Sequence, residues 1–426
     1  MTAVGPAVIL SAAKDLARTF AILLAAATPL AAQADTALPA SAHEPTSYDI
    51  TVVTSDTGAH FLGEVQTGWR LRSVEPVAME LDSAFRVVRV LVDGKPNTRL
   101  SRTMYARQGG EVVVPHEKAP GDTLSTRVRY HGIPRGGFRV GPDRTGARAL
   151  AGETAGGQAR LWLPVPEGEA WRTTVTWSVQ AGDGQRVVAN GTLVKVDTLA
   201  YGHTAWHFRV DVPIPLDALA VAAGTFAVTA LPRPGCPDRC APVTLWTPPD
   251  DSAAAAAGPF RRAGEMVDFF AGRLGPFPYP GLAHVASPLP PAGRAGASVV
   301  LYDAVRVHAG DVDEREVALA TAAQWFGNAV TEAAPAGRRP SDAVAAYLAF
   351  LWTRQGRAGP VTEALTRDVD AIRALHQMGG DSAFFRGLRR YVETNRNATA
   401  EPGVFERTMS ESAGRPIKWS FAGSSR

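Results

Sequence analysis

His203 and His207 are the only histidines spaced as H-x-x-x-H. On a helix, residues four apart share a face, and two imidazoles so placed can close on one metal ion. Here the surrounding TAWHFRVDV alternates like a strand, where i and i+4 lie about 13 Å apart, so the pair cannot share a metal. Cys236 and Cys240, in GCPDRC, are the only cysteines. In an exported chain they read as a small disulfide, whose short loop adds little stability. As metal ligands they would need two more donors, and no Cys/His cluster supplies them. His308 follows a short apolar strand and can approach Asp342, but zinc sites use three or four protein ligands and two do not suffice. Asp342 also fits the start of a helix, as an N-cap.

The elements that must position these residues change type along the chain. From about residue 47 to 228 the pattern is alternating or β-branched runs broken by turns. Tyr48–Val53, Phe85–Val92 with an Asp93-Gly94 hairpin turn, Glu111–Val114 and Thr173–Val179 are examples. Residues 231–258, rich in Pro, Asp and Ala, read as a connector. From Pro259 the helical period takes over, with Phe260, Ala263, Met266, Val267, Phe270 and Leu274 on one face and Gly275-Pro276 as the stop. Asp313 with Glu316 can form a capping box for a helix over Val317–Asn328. Further helices are expected from Ser341 or Asp342 to Trp352, and over Val361–Met378, Ser382–Asn395 and Val404–Ala413.

The stretch Glu316–Val330, EVALATAAQWFGNAV, resembles the zinc-site helix of zinc aminopeptidases of the aminopeptidase N type, within the gluzincins. ARLWLP at Ala159–Pro164, AAGTF at Ala222–Phe226, MVDFFAGRLGPFPYP at Met266–Pro280, FFRGLRRYV at Phe384–Val392 and FERTMSESAGRP at Phe405–Pro416 extend the resemblance in order and spacing. It covers roughly residues 45 to 421. It implies an α+β fold: an amino-terminal antiparallel β domain at 43–230 in sandwich or saddle form, then a thermolysin-like, mainly helical domain at 259–426, without the long helical-repeat domain of larger relatives.

The resemblance also implies a site that this chain lacks. Such chains carry HExxH directly before Gln-Trp-Phe-Gly-Asn: two histidines on one helical face hold zinc, and the glutamate takes a proton from the metal-bound water. Here Leu319 and Ala323 occupy the histidine positions and Ala320 the glutamate position. The third ligand, eighteen residues after the second histidine, falls on Asp342, one methylene shorter than glutamate. The glutamate that grips a substrate α-amine falls on Ala295, and the oxyanion-stabilising tyrosine on Leu365. Leu319 and Ala323 are expected to close the vacated pocket, since unpaired imidazoles there would cost stability. No cofactor is therefore expected. The alternative is an active zinc aminopeptidase with substitute ligands, Asp342 and His308 among them.

The chain has 426 residues and a net charge of +3 spread along its length, which argues against a nucleic-acid partner. Lys14 and Arg18, the apolar run Phe20–Ala32 and Ala32-Gln33-Ala34 read as a signal peptide over residues 1–34, the run being short for a bilayer span. The alternative is an anchor or a buried helix. With cleavage the chain has no transmembrane helix and is periplasmic or extracellular. The expected activity is binding of a peptide or another envelope protein in the old cleft by a non-catalytic pseudo-peptidase.

Overall fold

The computed structural model describes residues 43–54, 57–96, 110–166, 171–236, 240–288, 295–333, 339–355 and 367–416. The signal-peptide reading at 1–34 and the Leu365 position lie outside these residues. The described residues form one compact unit of mixed α and β structure, rich in sheet first and in helix later.

The large sheet has eight strands. From edge to edge they are Thr192–Thr198, Thr204–Pro215, Arg172–Ala181, His43–Thr54, Phe61–Leu71, Thr123–Gly132, Phe85–Val92 and Lys95–Pro96. Only the His43–Thr54 and Arg172–Ala181 pair is parallel, with Ile50 opposite Trp177. Alternation sets the sheet's inner face. Phe61, Gly63, Val65, Thr67, Trp69 and Leu71 are buried, while the residues that alternate with them are partly or fully exposed. That is the mark of a sheet packed on one side only. Asp93 and Gly94 both take positive φ, 48° and 74°, so the expected hairpin turn has the primed geometry that matches strand twist. Gly184, at φ 70°, follows a strand of the large sheet and precedes Arg186–Ala189, which belongs to a second sheet. That second sheet runs Arg186–Ala189, Ala220–Gly224, Arg148–Glu153 and Phe138–Pro142.

The connector expected at 231–258 is corrected by the structure. Its middle, Val243–Thr247, is an inner strand of a four-stranded sheet, antiparallel to Ala227–Leu231 and parallel to Leu282–Ser287, which in turn pairs parallel with Val299–Asp303. Val243, Leu245 and Thr247 are buried, a short alternation that the Pro- and Asp-rich flanks outweigh in composition. The Ala-rich end of the connector is a helix, α1 (Ser252–Ala257).

The remaining helices are α2 (Ala263–Leu274), α3 (Ala304–Ala309), α4 (Glu314–Ala322), α5 (Pro340–Thr353), α6 (Arg367–Asn395) and α7 (Val404–Ala413). The apolar face of α2 is buried as its period requires, and Gly275 ends it at φ 99°. Gly380, at φ 67°, breaks α6 where two separate helices are expected. A single hydrophobic core joins α2, α4, α5, α6 and α7 to the four-stranded sheet. Among the described residues no helix is long and apolar enough to cross a membrane.

Candidate functional site

The site is built on the end of α4. Asp313 caps the helix by accepting a hydrogen bond from the Glu316 amide at 2.7 Å. The helix stops at Ala322, short of the expected Asn328. Beyond it the chain opens into wide turns, with Asn328, Ala329 and Val330 donating to the carbonyls five residues back. Gly327 makes this possible by taking φ 111°, where a side chain would be strained.

Gln324–Asn328, just past the helix, are scaffold. Trp325 and Phe326 are buried; Trp325 donates to the Gly275 carbonyl and packs edge-on to Phe270 and Phe277, while Phe326 stacks on Tyr391. Gln324 and Asn328 are fully buried and act as staples. Gln324 Oε1 accepts from the Ser298 amide at 2.8 Å, and its Nε2 donates to the Gly296 and Ala320 carbonyls. Asn328 Nδ2 donates to the Ala295 carbonyl at 3.0 Å. Together they fasten the segment before strand Val299–Asp303 against the end of α4. Ala295, half-buried, is thus brought beside this helix end.

The vacated positions stand on the other side of α4. Val317, Ala318, Thr321 and Ala322 point to the core, and Ala320 sits at its margin with 9% exposure. Ala323 is half-buried. Leu319 is 39% exposed, which corrects the expectation that it closes the pocket. A leucine one helical turn from an alanine on an outward face has too few neighbours to bury it, so Leu319 stands accessible on the outer side of α4.

Asp342 lies in the first turn of α5, exposed, its amide bonded to the Arg339 carbonyl. The N-cap is Arg339 with Pro340 in the first turn, so Asp342 does not cap the helix. His308 does not turn to Asp342. Its Nδ1 lies 2.8 Å from buried Asp251, whose carboxylate also takes two hydrogen bonds from Arg144. His207 Nε2 pairs with Asp197 at 3.0 Å from its place on a strand, and His203 closes the turn ahead of that strand. Cys236 and Cys240 are joined by a disulfide.

A buried polar group next to the site has no signal in the sequence. Glu332 is 6% exposed; its Oε1 accepts from Ser341 Oγ at 2.6 Å and from Tyr391 OH at 3.0 Å. Burial raises its carboxyl pKa above the usual range, against the hydrogen bonds that lower it. Buried Arg339 and half-buried Asp217 lie 3.6 Å apart and tie the start of α5 to the β region. Arg172 donates to the Asn328 carbonyl and to Thr331 Oγ1 from the large sheet. These partners are 59 to 159 residues apart, or 9 for Ser341, and none is marked by a local motif.

Zinc does not fit this arrangement. Leu319 and Ala323 offer no lone pair, and Asp342 leaves one carboxylate where three or four donors are needed. Among the described residues no group of three or more His, Cys, Asp or Glu side chains could hold a metal ion.

No family model and no curated protein matches the sequence. Solved structures do match. One is the M1 zinc metallopeptidase from Deinococcus radiodurans, at 19% identity and a TM-score of 0.72, over 87% of this chain and 91% of that one. Another is a mutant of that enzyme bound to a Tyr-Ser-Ala substrate, at 20% identity and a TM-score of 0.72, over 88% of this chain and 92% of that one. A two-domain M1 zinc metallopeptidase mutant bound to L-tryptophan matches at 19% identity and a TM-score of 0.70, over 88% and 93%. At this identity the likeness shows the fold, which is that of the M1 zinc metallopeptidases.

Proposed function

We propose that this chain is an exported, catalytically silent relative of the M1 zinc metallopeptidases that binds peptides, free or at the end of another envelope protein, without cleaving them. The supporting observation is the contrast between the two sides of α4. Its buried side leads into a full scaffold, with Gln324 and Asn328 just beyond the helix bonded to residues 295–298. Its outward side carries Leu319 and Ala323 where that fold's enzymes would hold metal, with Ala320 in place of the base. Scaffold without donors keeps shape and loses chemistry. The exposed Leu319 side chain offers apolar contact to an uncharged peptide side chain, and Leu319, Ala320 and Ala323 supply no group to activate a water against it.

Calorimetric titration with the tripeptide Tyr-Ser-Ala, followed by mass spectrometry of the mixture, tests this reading. Saturable binding with the peptide recovered whole is expected. Release of free tyrosine would overturn the silent assignment, and no detectable heat at high protein concentration would overturn the peptide-binding one.

A further inference from the structure

Strand Thr192–Thr198 forms one edge of the eight-stranded sheet, and six of its seven residues are exposed. Among the described residues, five of the eleven exposed large hydrophobic side chains fall between Leu193 and Tyr201: Leu193, Val194, Val196, Leu199 and Tyr201. No described strand pairs with its outer side, so alternate N–H and C=O groups along it point away from the sheet. Tyr201, at the tip of the hairpin that follows, is 98% exposed and held at φ 58°, a conformation that β-turn glycine or asparagine takes more cheaply. An edge this apolar is a template for another strand.

We propose that a second copy of this chain pairs antiparallel along this edge, across a two-fold axis at Val196. The charges favour that occupant. A lysine on an edge strand ordinarily blocks pairing. Here Lys195 and Asp197 flank Val196 and lie 2.6 Å apart within one copy. In the two-fold arrangement Lys195 of each copy stands opposite Asp197 of the other, so both pairs are favourable, and Val196 meets Val196. The same two-fold places Tyr201 of one copy beside Gly191 of the other. The pairing has a natural limit: a bulge between Leu193 and Lys195 ends the regular ladder on the amino-terminal side. The result is one continuous sheet through both copies.

Sedimentation of the full chain over a range of concentrations tests the pairing. A concentration-dependent dimer is expected. Lys195→Asp, which sets like charges opposite one another, should weaken it by roughly tenfold or more in dissociation constant. Adding Asp197→Lys to that variant should restore it. Val196→Lys should give monomer with an unchanged circular dichroism spectrum. A wild-type monomer at all concentrations, or a dimer indifferent to Val196→Lys, would overturn the proposal. Neither outcome bears on peptide binding, which is read separately by calorimetry.

Discussion

Leu319 and Ala323 keep the four-residue spacing of a metal-binding pair and lack any donor atom, and Leu319 remains accessible at the surface. Rebuilding donors on this backbone is therefore a direct residue-scale experiment. The combination Leu319→His, Ala320→Glu, Ala323→His and Asp342→Glu should take up zinc at close to one ion per chain, measured by plasma mass spectrometry, if the scaffold has kept its geometry. Failure to bind would mean that the backbone of α4 and α5 has drifted as well as its side chains. A second prediction concerns His284. It is fully buried, its Nδ1 lies 2.9 Å from Tyr302 OH, and burial lowers its pKa from 6.5 to about 3. The unfolded chain then binds a proton below pH 6.5 that the folded chain refuses until about pH 3. Stability is full above that window and falls as pH drops through it, by at most on the order of 5 kcal/mol. His284→Phe should flatten this slope in denaturant titrations at several pH values; an unchanged slope would assign it to other groups. Glu332 runs the opposite way. Burial raises its pKa, so it favours folding while protonated and opposes it as pH rises through the folded value. Glu332→Gln, whose carbonyl still accepts from Ser341 and Tyr391, should leave the protein equally or more stable at neutral pH.

Among the elements, the end of α4 and the segment 295–298 carry the site as one unit. Gln324→Ala would orphan the buried Ser298 amide and Gly296 carbonyl, and should cost about 2–4 kcal/mol in chemical unfolding. Leu319→Ala, on the outward side of α4, should cost far less. Equal losses would contradict the two-sided description of α4. What was legible in the sequence follows the same division. The period of α2, the primed turn at Asp93-Gly94 and the break at Gly380 are local, set by residues within a turn or two, and they read correctly. The end of α4 did not, because Gln324–Asn328 continue a helical pattern while their hydrogen bonds are spent on residues about thirty positions away. The strand Val243–Thr247 was hidden by its flanks. The polar cluster of Glu332, Ser341 and Tyr391, and the ties from Arg172 and Arg339, join distant stretches that no spacing rule connects. The outward direction of Leu319 has no mark in the sequence, because a leucine in place of a ligand fits a filled pocket as well as an exposed helix face.

For the whole molecule, the fold is that of the M1 zinc metallopeptidases; its two larger hydrophobic cores lie under the helices and inside the large sheet, and a third, smaller one joins the two four-stranded sheets. None of these cores depends on a metal ion, since the residues lining them are apolar side chains packed on one another. Thermal unfolding should therefore be insensitive to chelator, with the same midpoint before and after dialysis against EDTA. The central claim is that this fold persists with its metal chemistry gone. Zinc content and hydrolysis measured together on one purified sample test it most directly, by plasma mass spectrometry and by release of aminoacyl dyes after incubation with added zinc. The account predicts far less than one zinc per chain and no release above the blank; near-stoichiometric zinc with chelator-sensitive release would contradict it.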